Sequence, residues 1–179
     1  MTSENIYRYI PISALFAILG VIFPVLFHFT GLGSTFLPMF LPVVMASTLM
    51  PPPFAVSVAV ITPLVSNLFT GMPPIYPPIL LLVMVELLLI SFLTSYLYFL
   101  KRKSIFMTLV IVMITDRLVL FLFIMLFAGY LGFPANFYSA VAVLHGIPGI
   151  ILIFVVVPLS LQFLKKNYPQ ILPEKNDSE

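Results

Sequence analysis

The sequence predicts an all-α integral membrane protein, a six-transmembrane-helix bundle with the N and C termini cytoplasmic. Three observations carry this expectation. Of 179 residues, 61% are hydrophobic and 8% charged, whereas a soluble domain carries about 25% charged residues, and the mean hydropathy is +1.19. Apolar runs of spanning length recur along the chain, divided by Pro-rich, Gly-rich or basic connections. Finally, the Lys and Arg residues gather at span ends. Arg8 stands at the N-terminal edge, Lys101, Arg102 and Lys103 share one connection, and Lys165, Lys166 and Lys175 lie at the C-terminal end. Arg117 alone is inside an apolar run.

The spans follow in order within a single membrane domain, 1–179. The first runs over about 7–28 and is read as a retained span, because no small-residue cleavage pattern follows it. A Gly-containing connection, Thr30-Gly31-Leu32-Gly33-Ser34, leads to a short second span, about 36–50. It is interrupted by Pro38 and Pro42 and stopped by Pro51, Pro52 and Pro53, residues that donate no helix hydrogen bond. The third, about 54–70, ends at Gly71, and a Pro-rich loop precedes the fourth, about 79–100. Lys101, Arg102 and Lys103 separate it from the fifth, about 104–128; the sixth covers about 137–164 with Pro148 and Gly149 inside it.

The second span is shorter than the roughly 20 residues a crossing helix needs, so a re-entrant segment is the competing reading. Topology decides between them. Without that crossing, the basic residues at 101–103 and 165–166 would lie opposite Arg8; with it, every flanking basic residue is on the cytoplasmic side, as the positive-inside tendency requires. The connections 29–35, 71–78 and 129–136 then face outward without a charged residue. They are either lids over a site or loops lying in the apolar interface.

Charges inside an apolar bundle are costly and mark function by default. Glu86 lies mid-way along the fourth span, Asp116 and Arg117 along the fifth; His145, His28, Ser66, Asn67 and Thr70 lie towards the outer side. Together they outline a small-molecule cavity open outward. Arg117 suits a carboxylate, which its planar fork binds through two hydrogen bonds. Glu86 either stays protonated in its apolar setting and donates a hydrogen bond or ties its span to the fifth; Asp116 and Arg117 compete as a local ion pair or as separate bonds to neighbouring helices that hold the bundle together. Ser13, Ala17 and Gly20 share one face of the first span, where small residues admit another membrane helix or serve packing within the bundle.

Several classes are excluded. There is no cysteine, hence no disulfide or thiolate chemistry. The histidines and carboxylates lack metal-site spacing, and no phosphate loop or nucleophile motif occurs. No metal, no cofactor and no enzyme activity is therefore expected, and the juxtamembrane basic residues do not form a nucleic-acid patch.

The stretch Gly33-Ser34-Thr35-Phe36-Leu37-Pro38-Met39-Phe40-Leu41-Pro42-Val43, then Thr62-Pro63-Leu64-Val65-Ser66-Asn67-Leu68-Phe69-Thr70-Gly71-Met72-Pro73-Pro74, resembles the substrate-binding S components of energy-coupling factor (ECF) transporters. Glu86, Asp116-Arg117 and Gly146-Ile147-Pro148-Gly149-Ile150 extend the likeness over nearly the whole chain. The resemblance implies a multi-pass subunit of a prokaryotic plasma membrane that captures a vitamin-like small molecule outside. It implies docking, through small residues of the first helix, on a coupling transmembrane subunit with two cytoplasmic ATPases. Ser13 and Ala17 occupy the place of that family's Ala-x-x-x-Ala motif, with Ser in the first position. Sequences of that family often have His where Phe40 stands, which points to a different ligand preference here.

On this reading Asn67, Thr70, Glu86, Arg117 and His145 supply polar contacts to the ligand, and Phe36, Phe40, Tyr76, Phe133 and Tyr138 line or cover it. Arg117 suggests pantothenate or another carboxylate-bearing vitamin, with a neutral aromatic vitamin or a corrinoid as the alternatives. Two other classes compete. One is a stand-alone proton-coupled carrier using Glu86 or Asp116, without the inverted repeats that would support it. The other is an intramembrane enzyme built on His145 and Glu86, without a nucleophile arrangement.

Overall fold

The computed structural model describes residues 3–29, 38–76, 78–131 and 146–171. Among them there is no strand, and five helices are long and apolar enough to cross a membrane. In chain order these residues form α1 (Ser3–Phe29), α2 (Phe40–Leu49), α3 (Pro52–Thr70), α4 (Ile79–Thr94, continued by a π-helical turn over Ser95–Leu100), α5 (Ile105–Leu131) and α6 (Ile147–Asn167), with a final 3-10 turn, Pro169–Ile171.

α2 is the centre of the molecule. It has 10 residues, all but Leu41 buried, and it touches α1, α3, α4 and α6. At ~1.5 Å per residue it is about 15 Å long, half the hydrocarbon thickness of about 30 Å. The expected second span of 36–50 is thus helical only from Phe40, because Pro38 and Met39 form a turn; Phe36 lies outside the described residues. Pro42 does not interrupt the helix. It stands in the first turn, where backbone N–H groups have no intrahelical partner.

The proline run ends α2 and starts α3 at once. Met50 is extended, Pro51 caps α3, and Pro52 and Pro53 occupy its first positions, where a missing N–H costs nothing. Phe54 and Ala55 donate their amides to the Pro51 carbonyl, at 3.1 and 3.2 Å. At the other end of α3, Gly71 adopts a left-handed φ of 69° and donates to the Asn67 carbonyl, a stop that any side chain would strain.

α6 departs from its sequence expectation. Gly146 lies in a turn and the helix starts at Ile147 with Pro148 in its first turn, so Pro148 and Gly149 open the helix instead of sitting inside it. Residues 137–145, including Tyr138 and His145, lie outside the described residues, as does Phe133.

Tyr9 of α1 packs near Phe54 of α3 at 5.3 Å and Phe99 of the π turn at 6.1 Å between ring centroids. That contact brings Arg8 and the basic residues at 101–103 to one end of the bundle. Lys165 and Lys166 close α6 and are exposed. Between the ends the outer surface is apolar: Leu118, Phe121, Leu122, Met125 and Leu126 of α5 are all exposed. An apolar surface of this extent is what a lipid solvent tolerates and water does not.

Candidate functional site

Four of the eight buried hydroxyls among the described residues, Ser47, Thr48, Ser91 and Thr108, bond locally. Ser47 donates to the Val43 carbonyl and Thr48 to the Met45 carbonyl, both at 2.7 Å, and Ser91 donates to Leu88 at 3.0 Å. Such back-bonding lets a hydroxyl sit in an apolar helix. Among the described residues, five buried side-chain atoms have no hydrogen-bond partner: Thr62 Oγ1, Ser66 Oγ, Glu86 Oε1, Thr94 Oγ1 and Asp116 Oδ1. Each orphan costs about 1–3 kcal/mol, so their grouping calls for a reason.

Four of them lie at a similar depth. Glu86 is about 21 Å along its helix from Leu100, and Asp116 about 17 Å from Ile105, at ~1.5 Å per residue. α3 and α4 join at the opposite end, and from there Ser66, Glu86 and Thr62 are about 6, 10 and 12 Å deep. Relative to a hydrocarbon layer of about 30 Å, this polar band is in the half remote from Arg8 and the 101–103 run. Thr94 belongs elsewhere, next to the π turn.

The charges of the band are not equivalent. Arg117 Nε donates to Asp116 Oδ2 at 2.9 Å, and Nη2 bonds the same oxygen. The Asp116 side chain is fully buried and that of Arg117 19% exposed. Glu86, 5% exposed, is close enough to feel both Asp116 and Arg117 electrostatically. The two adjacent residues, expected as ligand contacts, as a local ion pair or as ties to neighbouring helices, form an ion pair with each other. Asp116 Oδ1 and Glu86 Oε1 remain over.

The other candidates have separate places. Asn67 Nδ2 donates to the Pro73 carbonyl at 2.7 Å. Thr70 Oγ1 donates to the Ser66 carbonyl at 2.7 Å and accepts from the Met72 amide at 3.2 Å. Both residues build the turn at the remote end of α3. Tyr76, in the loop that follows, is 79% exposed. Phe40 is buried at the start of α2 inside the main apolar cluster. Phe36, Phe133, Tyr138 and His145 lie outside the described residues.

On α1, Gly20 is buried against Thr62: a Cβ there would overlap Thr62 Cγ2 and stand 3.2 Å from its Oγ1. Its smallness serves the approach of α1 to α3 within the chain. Ser13 Oγ lies 3.5 Å from Met50 Sδ, so it too faces inward. Ala17 is half-buried and, with Ala14, lines an open apolar groove of about 380 Å³ between α1 and α3.

Thr62 was not among the site residues expected from the sequence. A signal was present, since Thr62 and Ser66 are four residues apart and share a helix face. Comparison with family models, with curated proteins and with solved structures finds no match for this chain.

Proposed function

We propose that this protein is the high-affinity substrate-binding subunit of an ECF-type transporter, capturing a vitamin-like micronutrient at the outer face. Delivery then follows docking on a coupling transmembrane subunit driven by two cytoplasmic ATPases. The observation that carries this reading is the polar band: Glu86 and Asp116 each keep a buried oxygen without a partner at mid-depth of an otherwise apolar bundle. A purely structural protein gains nothing from such orphans, whereas a binding subunit satisfies them on loading. The resemblance of the 33–43 and 62–74 stretches supplies the transporter class.

In this reading the 36–50 segment that contains α2 completes six crossings, the termini are cytoplasmic and the membrane is a prokaryotic plasma membrane. The turn built by Asn67 and Thr70 closes the outer mouth. Ala14 and Ala17 offer the coupling subunit a face where helices approach closely.

The test is reconstitution. The purified chain in liposomes should bind its nutrient without sustained uptake; uptake should appear only with the coupling module and ATP. Accumulation driven by a proton gradient with the chain alone would reject the proposal. That result would favour the second reading, a stand-alone proton-coupled carrier, for which the same two unpartnered carboxyl oxygens are the relevant observation.

A further inference from the structure

The charges within the spans do not balance. Between Arg8 and Lys101 the sequence holds one charged side chain, Glu86; between Lys103 and Lys165 it holds two, Asp116 and Arg117. Arg117 is matched to Asp116, with both Nε and Nη2 on Oδ2. The next basic residue along α4 is Lys101, a helix distance of about 22 Å from Glu86 at ~1.5 Å per residue, and it lies over the Tyr96 ring instead, 5.6 Å from its centroid. The side chains of His28 and His145 lie outside the described residues. Among the described residues, Glu86 is left as a buried carboxyl with no ion pair of its own, Arg117 bonding Asp116 instead.

The unpartnered atoms point the same way. Glu86 Oε1 and Asp116 Oδ1 are carboxyl oxygens, and the other two in the band, Thr62 Oγ1 and Ser66 Oγ, are hydroxyls. An ionised carboxylate only accepts hydrogen bonds, while a hydroxyl accepts as well as donates. A ligand bearing a carboxylate would find Arg117 already engaged and would add a second negative charge beside Glu86. A ligand bearing a positively charged nitrogen would meet the opposite situation.

Building on the nutrient-capture reading, we infer that the ligand presents a protonated or quaternary nitrogen to Glu86, and that Arg117 holds Asp116 in place instead of gripping an anionic group. An opposite charge desolvated together with its partner is favourable where either alone is not. The ligand class expected from Arg117 in the sequence, a carboxylate-bearing vitamin, is replaced by an organic cation.

The experiment uses the full chain, expressed in cells grown on rich medium and purified in lipid nanodiscs. Small molecules retained by the folded protein are identified by mass spectrometry, and their charge at neutral pH is read by capillary electrophoresis. The expected result is a cationic molecule whose retention falls at least ten-fold in Glu86→Gln, a change that keeps size and removes charge. A retained molecule that is neutral or anionic overturns the inference and leaves nutrient capture standing. So does undiminished retention by folded Glu86→Gln, and so does a neutral molecule held only in sodium, which would assign the positive charge to an alkali ion. Should Glu86→Gln fail to fold, the charge of the wild-type molecule still decides. A folded wild-type chain that retains nothing defeats the capture reading itself, and this inference with it.

Discussion

Gly20 of α1 and Thr62 of α3 occupy the same crossing point, and the missing side chain of one is the space the other fills. That contact lets α1 lie against α3, its most extensive neighbour. Thr62 is fully buried, and its hydroxyl belongs to the polar band.

Gly20→Val should therefore destabilise the isolated chain. Overpacking costs about 1–3 kcal/mol, and the atoms an added Cβ would meet belong to the fully buried, β-branched Thr62. Thermal unfolding in detergent should show a lower midpoint than wild type. An unchanged midpoint would mean that Gly20 is free of α3 and available to another protein.

The Asp116–Arg117 pair should behave as a unit. Removing one member leaves a buried charge uncompensated, at a cost of about 3–5 kcal/mol. Asp116→Asn and Arg117→Gln are each expected to lower stability, and the double variant should lose less than the sum of the two. A double-mutant cycle on unfolding free energy measures this coupling. Strict additivity would show that the two residues act independently.

Ser95 joins distant parts of the chain: its Oγ donates to the Met50 carbonyl at 2.6 Å. Met50 has left α2 and is extended, so the serine supplies a partner to a buried backbone group. Ser95→Ala should cost about 1–3 kcal/mol and speed hydrogen exchange around the end of α2. Exchange at wild-type rates would remove Ser95 from that role.

Asn67→Ala should loosen the turn after α3 without unfolding the bundle. The lost bond to Pro73 is worth about 0.5–1.5 kcal/mol, and the effect should be local. Limited proteolysis is expected to cut at 72–76 faster than in wild type, with the unfolding midpoint little changed.

Ala17→Trp should separate capture from delivery. Ala17 lines the groove between α1 and α3, whose walls are apolar side chains throughout. Binding of the retained molecule should stay within a few-fold of wild type, while uptake with the coupling module is lost. Unimpaired uptake would move the docking face off α1.

Much of the architecture was legible because membrane helices obey one-dimensional rules. Length and hydropathy mark α1, α3, α4 and α5, whose bounds fall close to the expected spans, since every backbone group in hydrocarbon must bond within its own helix. The Pro51, Pro52 and Pro53 break was equally plain. α2 was harder. Its composition does not tell a crossing helix from a central plug, and only contacts with α1, α3, α4 and α6 reveal its central position.

The site divides in the same way. By itself the sequence determined that Glu86, Asp116 and Arg117 lie within apolar spans, because charge and hydropathy are properties of the residues. What the tertiary structure decided is who bonds whom. Arg117 turns to its neighbour Asp116, Asn67 and Thr70 turn to the loop, and Gly20 receives Thr62. Those choices depend on rotamers and on helix rotation, and both are set by the packing of one helix on another.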